Sequence, residues 1–474
     1  MRIVLLVLAV LLSLVVAAVA VAYVRFDKSI NTFDNKGISK HRPPPTVAGQ
    51  NILLIGSDSR AGADSGLGGK GSAVGRSDTT LFVHIYEGGR RAVAVSIPRD
   101  AMVDIPRCLL PDGSWSAPQT SVMFNQAFTV GQTPSGNPAC TVNTVEKMTH
   151  MRIDHTVIAD FSGFAAMTDI VGGVPVCVPN DVYQGDLDPN RPDRGRLIFH
   201  KGVQVVSGAK ALDYVRLRHG IGDGSDIGRM RRQQAFLASV ISKVRAEGLN
   251  PTNILPLADA ATKYLTVDPE LGTAQKLLSF VLSLRHMSPN DIVFLTTPWR
   301  YDGPRVALVH PDVDRLWAAL RADEPVTGTG RTEKAKAAST TVADRLGRVT
   351  EPVTVLNGTP VSGLAGQTGQ LLGAAGITVA GVGNGPRLPG TIVEYGPGQK
   401  AQARALATAF VGARVQPVST PGLHLVLGDQ HRMRSMSAIA GGRPTPLPDS
   451  ITKDARSAAS KPCSNVSYGT GSAG

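Results

Sequence analysis

Five arginines, Arg216, Arg218, Arg229, Arg231 and Arg232, crowd the segment YVRLRHGIGDGSDIGRMRRQQAF from Tyr214 to Phe236, around a Gly/Asp turn and beside Gln233 and Gln234. Tyr214, Val215 and Leu217 predict an extended run, and strand side chains alternate with period two, so Arg216 and Arg218 are expected to point the same way. Asp226 reads as the N-cap of a following helix, which carries Arg229 and Arg232 three apart on one face. Guanidinium forks converging from a strand and a helix N-terminus suit a multiply charged anion, phosphate above all. A lone arginine of this kind is ordinarily solvated surface charge, and it is the clustering that points to a site.

Three acid/arginine turns accompany the run. GSDSR supplies Asp58 and Arg60, GRSDTT supplies Arg76 and Asp78, and SIPRD supplies Arg99 and Asp100. Each falls at a predicted strand end, where α/β folds place ligand-binding groups, so the turns are expected to meet at one rim of a sheet. Asp58 and Asp78 among arginines suit a hard divalent cation, magnesium or manganese, which takes one or two carboxylates plus phosphate oxygens while the arginines neutralise the remaining charge. Singly, each Asp is equally a turn former or a salt-bridge partner. In-line attack on a phosphate needs charge neutralisation more than a covalent nucleophile, so the lack of a Ser/His or Cys/His arrangement is no objection. Asp226 or Asp100 is the candidate proton acceptor, and the choice between them stays open.

The elements that must position these groups are legible as an α/β pattern. NILLIG (51–56), TTLFVHIY (79–86) and RRAVAVSIP (90–98) predict strands, with further strands at 155–160, 174–178, 211–217 and 291–296. Helices are expected around 142–150, 161–171, 227–246 and 270–284. Together they predict an α/β/α domain with a central mixed sheet over residues 48–322. Phe161, Phe164, Met167 and Ile170 either line an apolar slot or form an ordinary core stripe. Residues 323–350 lose apolar periodicity and read as a linker, followed over 351–430 by strands at 352–357, 377–382, 391–395 and 423–427 with helices at 362–375 and 399–411. That βαββαβ order predicts a small ferredoxin-like α+β domain. From 441 to 474 the Pro, Ser, Gly and Lys content predicts disorder.

The compartment is set by the first residues. Ile3 to Val24 is apolar apart from Ser13, long enough to span a bilayer, so residues 1–28 read as a transmembrane anchor with a spacer over 29–47. A cleaved secretory signal is the alternative, with Ala18, Ala20 and Ala22 as the small residues a cleavage site needs. In either case the remainder is expected outside the cytoplasm. A formal net charge of +12 over 474 residues favours an anionic partner. Nucleic acid is disfavoured, because the arginines cluster with acids and do not form a basic face interleaved with aromatics. Cys108 and Cys140 bracket a loop-rich segment and are expected to form a disulfide, whereas Cys177 and Cys463 are left unpaired.

GSDSR, RSDTT, SIPRD, YVRLRH and GDGSDIGRMRRQQ, in this order behind one N-terminal anchor, resemble the LytR-CpsA-Psr family of cell-envelope proteins over residues 50–250. The 352–428 unit is similar to the C-terminal LytR domain of actinobacterial members. The resemblance implies a magnesium-dependent phosphotransferase on the outer face of the cytoplasmic membrane. Such an enzyme moves a glycopolymer, arabinogalactan or similar, from a polyprenyl-pyrophosphate carrier onto peptidoglycan as a phosphodiester. It assigns Asp58 and Asp78 to the metal and Arg60, Arg76, Arg99, Arg216, Arg218, Arg229, Arg232 and Gln233 to the pyrophosphate. A Gly-rich insertion between GSDSR and RSDTT departs from the family pattern and leaves the mouth of the site open. The competing readings are a pyrophosphatase using water as acceptor and a non-catalytic envelope regulator.

Overall fold

The computed structural model describes residues 27, 29–46, 49–57, 77–131, 138–159, 161–187, 193–217, 221, 225–246, 256, 259, 260, 262–326, 342, 344–429, 431, 433, 434 and 447–464. In chain order the elements that matter are β1 (Asn31–Thr32), β2 (Gln50–Ser57), β3 (Ser77–Ile85), β4 (Ala92–Ile97), α1 (Ala139–Thr149), β5 (His155–Ala159), α2 (Phe161–Ile170), α3 (Gly208–Arg216), α4 (Asp226–Ala246), β6 (Leu265–Val267), α5 (Ala274–Ser283), β7 (Ile292–Thr296) and α6 (Asp312–Arg321). A second unit follows as β8 (Val353–Asn357), α7 (Leu364–Ala374), β9 (Val379–Asn384), β10 (Ile392–Tyr395), α8 (Lys400–Ala407), β11 (Arg414–Pro417) and β12 (Leu423–Leu427), and the chain then adds β13 (Arg456–Ser457).

An eight-stranded mixed sheet in the order β1-β6-β5-β2-β3-β4-β7-β13 organises the first unit, as the α/β expectation requires. Strand β2 runs parallel to β5 and antiparallel to β3, and β4 runs parallel to β7. Alternation sends Leu53, Ile55, Phe82, Val93 and Val95 into one core with α1 and α6, where Phe82 meets Trp317 edge-on at 5.5 Å. The opposite face carries Ile52, Leu54 and Val83 under α4 and α5. Helix α4 is pinned by a polar contact: Gln234 donates to Ser96 Oγ at 2.7 Å and to the carbonyl of Leu295 at 2.9 Å, reaching β4 and β7 at once.

Four expectations are corrected. Residues 211–217 are not a strand: Gly208, Ala211, Leu212 and Val215 are buried at helical spacing, and the segment is the second half of α3. The second unit is not ferredoxin-like. Its five strands run β9-β8-β12-β10-β11, with each βαβ pair side by side and parallel and β12 between the pairs. A split βαβ fold would instead place a strand inside each pair. The 323–350 linker is shorter than expected, because Asp323 accepts from Glu87 N and faces His84 in the first unit while Leu346 and Val349 enter the core of the second.

The last correction concerns the tail. Residues 447–464 return to the first unit: β13 pairs antiparallel with β7, Ile451 enters the main core, and Cys463 and Cys177, both expected to be unpaired, are disulfide-bonded to each other. The expected Cys108–Cys140 bridge is present as well. The segment escaped composition-based reading because it is held by backbone pairing, one covalent bond and the buried Arg456, which donates to the carbonyls of Ser464 and Lys461. The Cys177–Cys463 bridge closes a sequence separation of 286 residues. The double substitution Cys177→Ala, Cys463→Ser is therefore expected to cost about 2–4 kcal/mol in non-reducing denaturant titration. Hydrogen exchange should show the loss first at the amides of β13.

Candidate active site

Pro98 ends β4, and the next residue places Arg99 at the rim where β3 begins and α4 starts. Its guanidinium is shared by three carboxylates. Nη1 donates to Asp78 Oδ1 at 2.8 Å, Nε donates to Asp226 Oδ2 at 2.8 Å, and Asp100 Oδ2 stands 3.7 Å from Nε. Burial opposes the charge on Arg99, but Asp226, Asp78 and Asp100 together outweigh it and raise its pKa above the ordinary value. Asp226 is clamped from its other oxygen too, since Arg229 Nη2 donates to Oδ1 at 2.7 Å. Thr79 Oγ1 donates to Gln233 Oε1 at 2.8 Å, tying β3 to α4 one step further along the rim. Close approach of β2 and β3 here depends on Gly56, where a Cβ would lie 3.3 Å from Cβ of Thr79.

Of the expected site residues, the structure thus brings together Asp78, Arg99, Asp100, Asp226, Arg229 and Gln233. Asp226 is not the N-cap. Ser225 is, its Oγ accepting from Gly228 N at 3.0 Å, so Asp226 is the first helical residue and its carboxylate is released to the two arginines. Arg232 is 1% exposed and donates to the carbonyl of Leu217, which makes it a brace between α4 and the end of α3. Arg216 is the last residue of α3, so the expected strand geometry does not apply to it. Asp58, Arg60, Arg76 and Arg218 lie outside the described residues. Arg231 points away from the rim, with Nη2 donating to Asp454 Oδ2 at 2.6 Å in the returning tail.

Sequence reasoning missed Ser225 and Thr79. A Ser one position before an acid and three before a helical Gly is a legible cap signal; Thr79 carries no signal of its own beyond its place in RSDTT. On the α2 stripe, Phe164 stacks on Phe236 with ring centroids 4.9 Å apart and packs on a core built from α3, α4 and Val174–Val178.

The rim fits a divalent cation in part. Asp78 is partly exposed and engages Arg99 through one oxygen, leaving the other as a hard ligand to join phosphate oxygens. Among the described residues, the group of three acid or histidine side chains close enough to share an ion is elsewhere, at His155, Asp268 and Glu270.

A family profile described as LytR_cpsA_psr matches residues 19–320, well over half of the chain. The chain belongs to that family. A second profile, described as LytR cell envelope-related transcriptional attenuator, matches residues 350–431, the five-stranded unit. The cell wall biosynthesis protein LcpA of Corynebacterium glutamicum is 29% identical over 363 residues, covering 70% of this chain and 66% of the relative. A probable cell wall biosynthesis protein of the same organism, LcpB, is 34% identical over 55% of this chain and 58% of its own length. The polyisoprenyl-teichoic acid–peptidoglycan teichoic acid transferase TagT of Bacillus subtilis is 28% identical over 49% of this chain and 64% of its own. The matched part of the chain thus spans 58–66% of the length of each of these relatives. Among solved structures, the LytR-Csp2A-Psr enzyme from Actinomyces oris superposes with a TM-score of 0.44 at 20% identity, over 61% of this chain and 95% of that one.

Proposed function

We propose that the chain is a membrane-anchored phosphotransferase that moves a glycopolymer from a polyprenyl-pyrophosphate carrier onto peptidoglycan. The observation that carries the proposal is the Arg99 hub, held by Asp78 and Asp226 and backed by Arg229. Fixed guanidinium forks at a strand-end rim are the groups that neutralise a pyrophosphate as its charge redistributes. Membership of the family and the teichoic acid transferase activity of the relative TagT support the substrate class. The anchor is the apolar segment 3–24, which lies outside the described residues; no helix among the described residues is long and apolar enough to cross a membrane.

In the proposed reaction an acceptor hydroxyl of peptidoglycan attacks the phosphorus that carries the glycan. The new P–O bond gives a phosphodiester, the P–O bond of the anhydride breaks, and polyprenyl monophosphate departs with the electron pair. Both oxygens of Asp226 are occupied by arginines, whereas among the described residues Asp100 is held only by the 3.7 Å approach to Arg99. Asp100 is therefore the carboxylate with lone pairs available to take the hydroxyl proton. A bound magnesium or manganese would be held by Asp78, joined by Asp58 on the family pattern, and would supply charge neutralisation at the phosphates.

Incubating the full-length protein with a polyprenyl-pyrophosphate-linked glycan and peptidoglycan fragments tests the reading. The expected products are a glycan–phosphodiester adduct and polyprenyl monophosphate; release of monophosphate with water as sole acceptor would replace transfer with hydrolysis. Chelating divalent cations should lower transfer by about tenfold or more, with recovery on adding magnesium. Arg229→Lys keeps the charge but loses the planar fork, so transfer should fall by about tenfold, equivalent to ~1.4 kcal/mol of transition-state stabilisation. Unchanged rates after both manipulations would leave the rim without its assigned role.

A further inference from the structure

Helix α5 presents an apolar face that nothing among the described residues covers. Leu278, Val281 and Leu282 are 58%, 49% and 40% exposed, and they sit at i, i+3 and i+4 on one side of the helix. The inward side is a separate stripe, Phe280 and Leu284, packed on Ile52, Ile85, Ala92 and Met287. Three exposed large aliphatic residues within five positions of one helix are unlike the singly scattered apolar residues of an ordinary surface.

The position of α5 in the chain says what lies against it. Asp27 Oδ1 accepts from the backbone N of Ala274, the first residue of α5, at 2.8 Å. Asp27 comes three residues after Val24, the end of the apolar segment, and three extended residues span no more than about 10 Å. The chain continues from Asp27 into β1, which pairs with β6 just ahead of α5. On the reading of residues 3–24 as an anchor, the chain would leave the bilayer close to the N-terminus of the helix that carries the uncovered stripe. Exposed Lys276 and Arg285 flank that stripe, the arrangement that favours anionic headgroups.

We infer that α5 lies in the bilayer interface, with Leu278, Val281 and Leu282 inserted among the lipid chains, and so fixes the domain's orientation on the membrane. The inference rests on the reading of residues 3–24 as an anchor. It has a geometric consequence. The end of α5 meets Gly89, in the turn between β3 and β4, and Phe280 of α5 meets His155, the first residue of β5, with ring centroids 5.4 Å apart. The Arg99 rim lies at the opposite ends of β3 and β4, so the length of these strands separates the helix from the reacting groups.

The four cysteines are all in disulfides, so one introduced cysteine is a unique labelling site. Leu278→Cys, Leu282→Cys, Leu12→Cys in the anchor, and Val203→Cys as an exposed control are each made in the full-length protein. Each is labelled with a polarity-sensitive fluorophore and reconstituted into phosphatidylcholine/phosphatidylglycerol vesicles with or without doxyl-labelled lipid. The expected result is quenching by doxyl lipid at 278 and 282 at least about twofold stronger than at 203, at the shallow depth of an interfacial helix, with position 12 also quenched. Quenching at 12 with positions 278 and 282 no different from 203 would overturn the inference and leave the anchor standing. Shielding of 278 and 282 from aqueous iodide without doxyl quenching would mean that protein covers the helix, which overturns it as well. No quenching at 12 would remove the anchor and the inference together.

Discussion

Replacing Arg99 with alanine is expected to lower polymer transfer by about 10²–10³-fold, the range seen when a preorganised donor to developing charge is removed. Arg99 does two things at once. It brings a positive charge to the rim, and through Nη1 and Nε it spans the gap between Asp78 on β3 and Asp226 on α4. Without it those carboxylates face each other across the vacated space, repelling both one another and an incoming pyrophosphate. Arg99→Lys restores the charge but can satisfy only part of that geometry, so its activity should fall between wild type and alanine. Thermal unfolding should move little in the lysine variant, because the group sits at a solvent-reached rim where ion pairs contribute modestly. Transfer within a few-fold of wild type in Arg99→Ala would show that the hub is a structural ion-pair cluster.

The parts of the fold that were legible are those whose burial follows a single period. β2, β3 and β4 are runs of β-branched and aliphatic residues ending in turn formers, and each lies within a few residues of its expected place. The segment 211–217 misled because Tyr214, Val215 and Leu217 mimic a strand locally, whereas the buried set only makes sense with Gly208, Ala211 and Leu212 included. Strand β11, RVQP, is mostly exposed and carries an arginine and a proline, so neither its burial pattern nor its composition announces it. The returning tail was invisible for a different reason: its partners, β7 and Cys177, are remote in sequence.

The site divides in the same way. Acid/arginine turns at strand ends are a local signal, and Asp78, Arg99 and Asp100 arrive where that signal put them. What local reading could not supply is how one arginine among several is spent. Arg229 and Arg232 look equivalent on a helical wheel, yet Arg229 faces Asp226 while Arg232 is drawn under the chain to the carbonyl of Leu217. That difference is set by where α3 ends, which is a tertiary fact.

The choice between Asp100 and Asp226 as proton acceptor, open from the residues alone, yields the other large prediction. Asp100→Asn is expected to reduce kcat by about 10²–10⁴-fold, the range for losing a positioned general base, with little change in KM because the arginines proposed to clamp the pyrophosphate are left in place. Asp226→Asn should act differently. It weakens two charge-assisted contacts at once, to Arg99 and to Arg229, so the forks lose their fixed aim and KM should rise together with a fall in kcat. The pH profile separates the roles further: if Asp100 takes the proton, the acid limb of kcat expected for wild type should vanish in Asp100→Asn and persist in Asp226→Asn. Were the two variants to show the reverse split, the proton would have to leave through Asp226, and one of its arginine contacts would have to open when substrate binds.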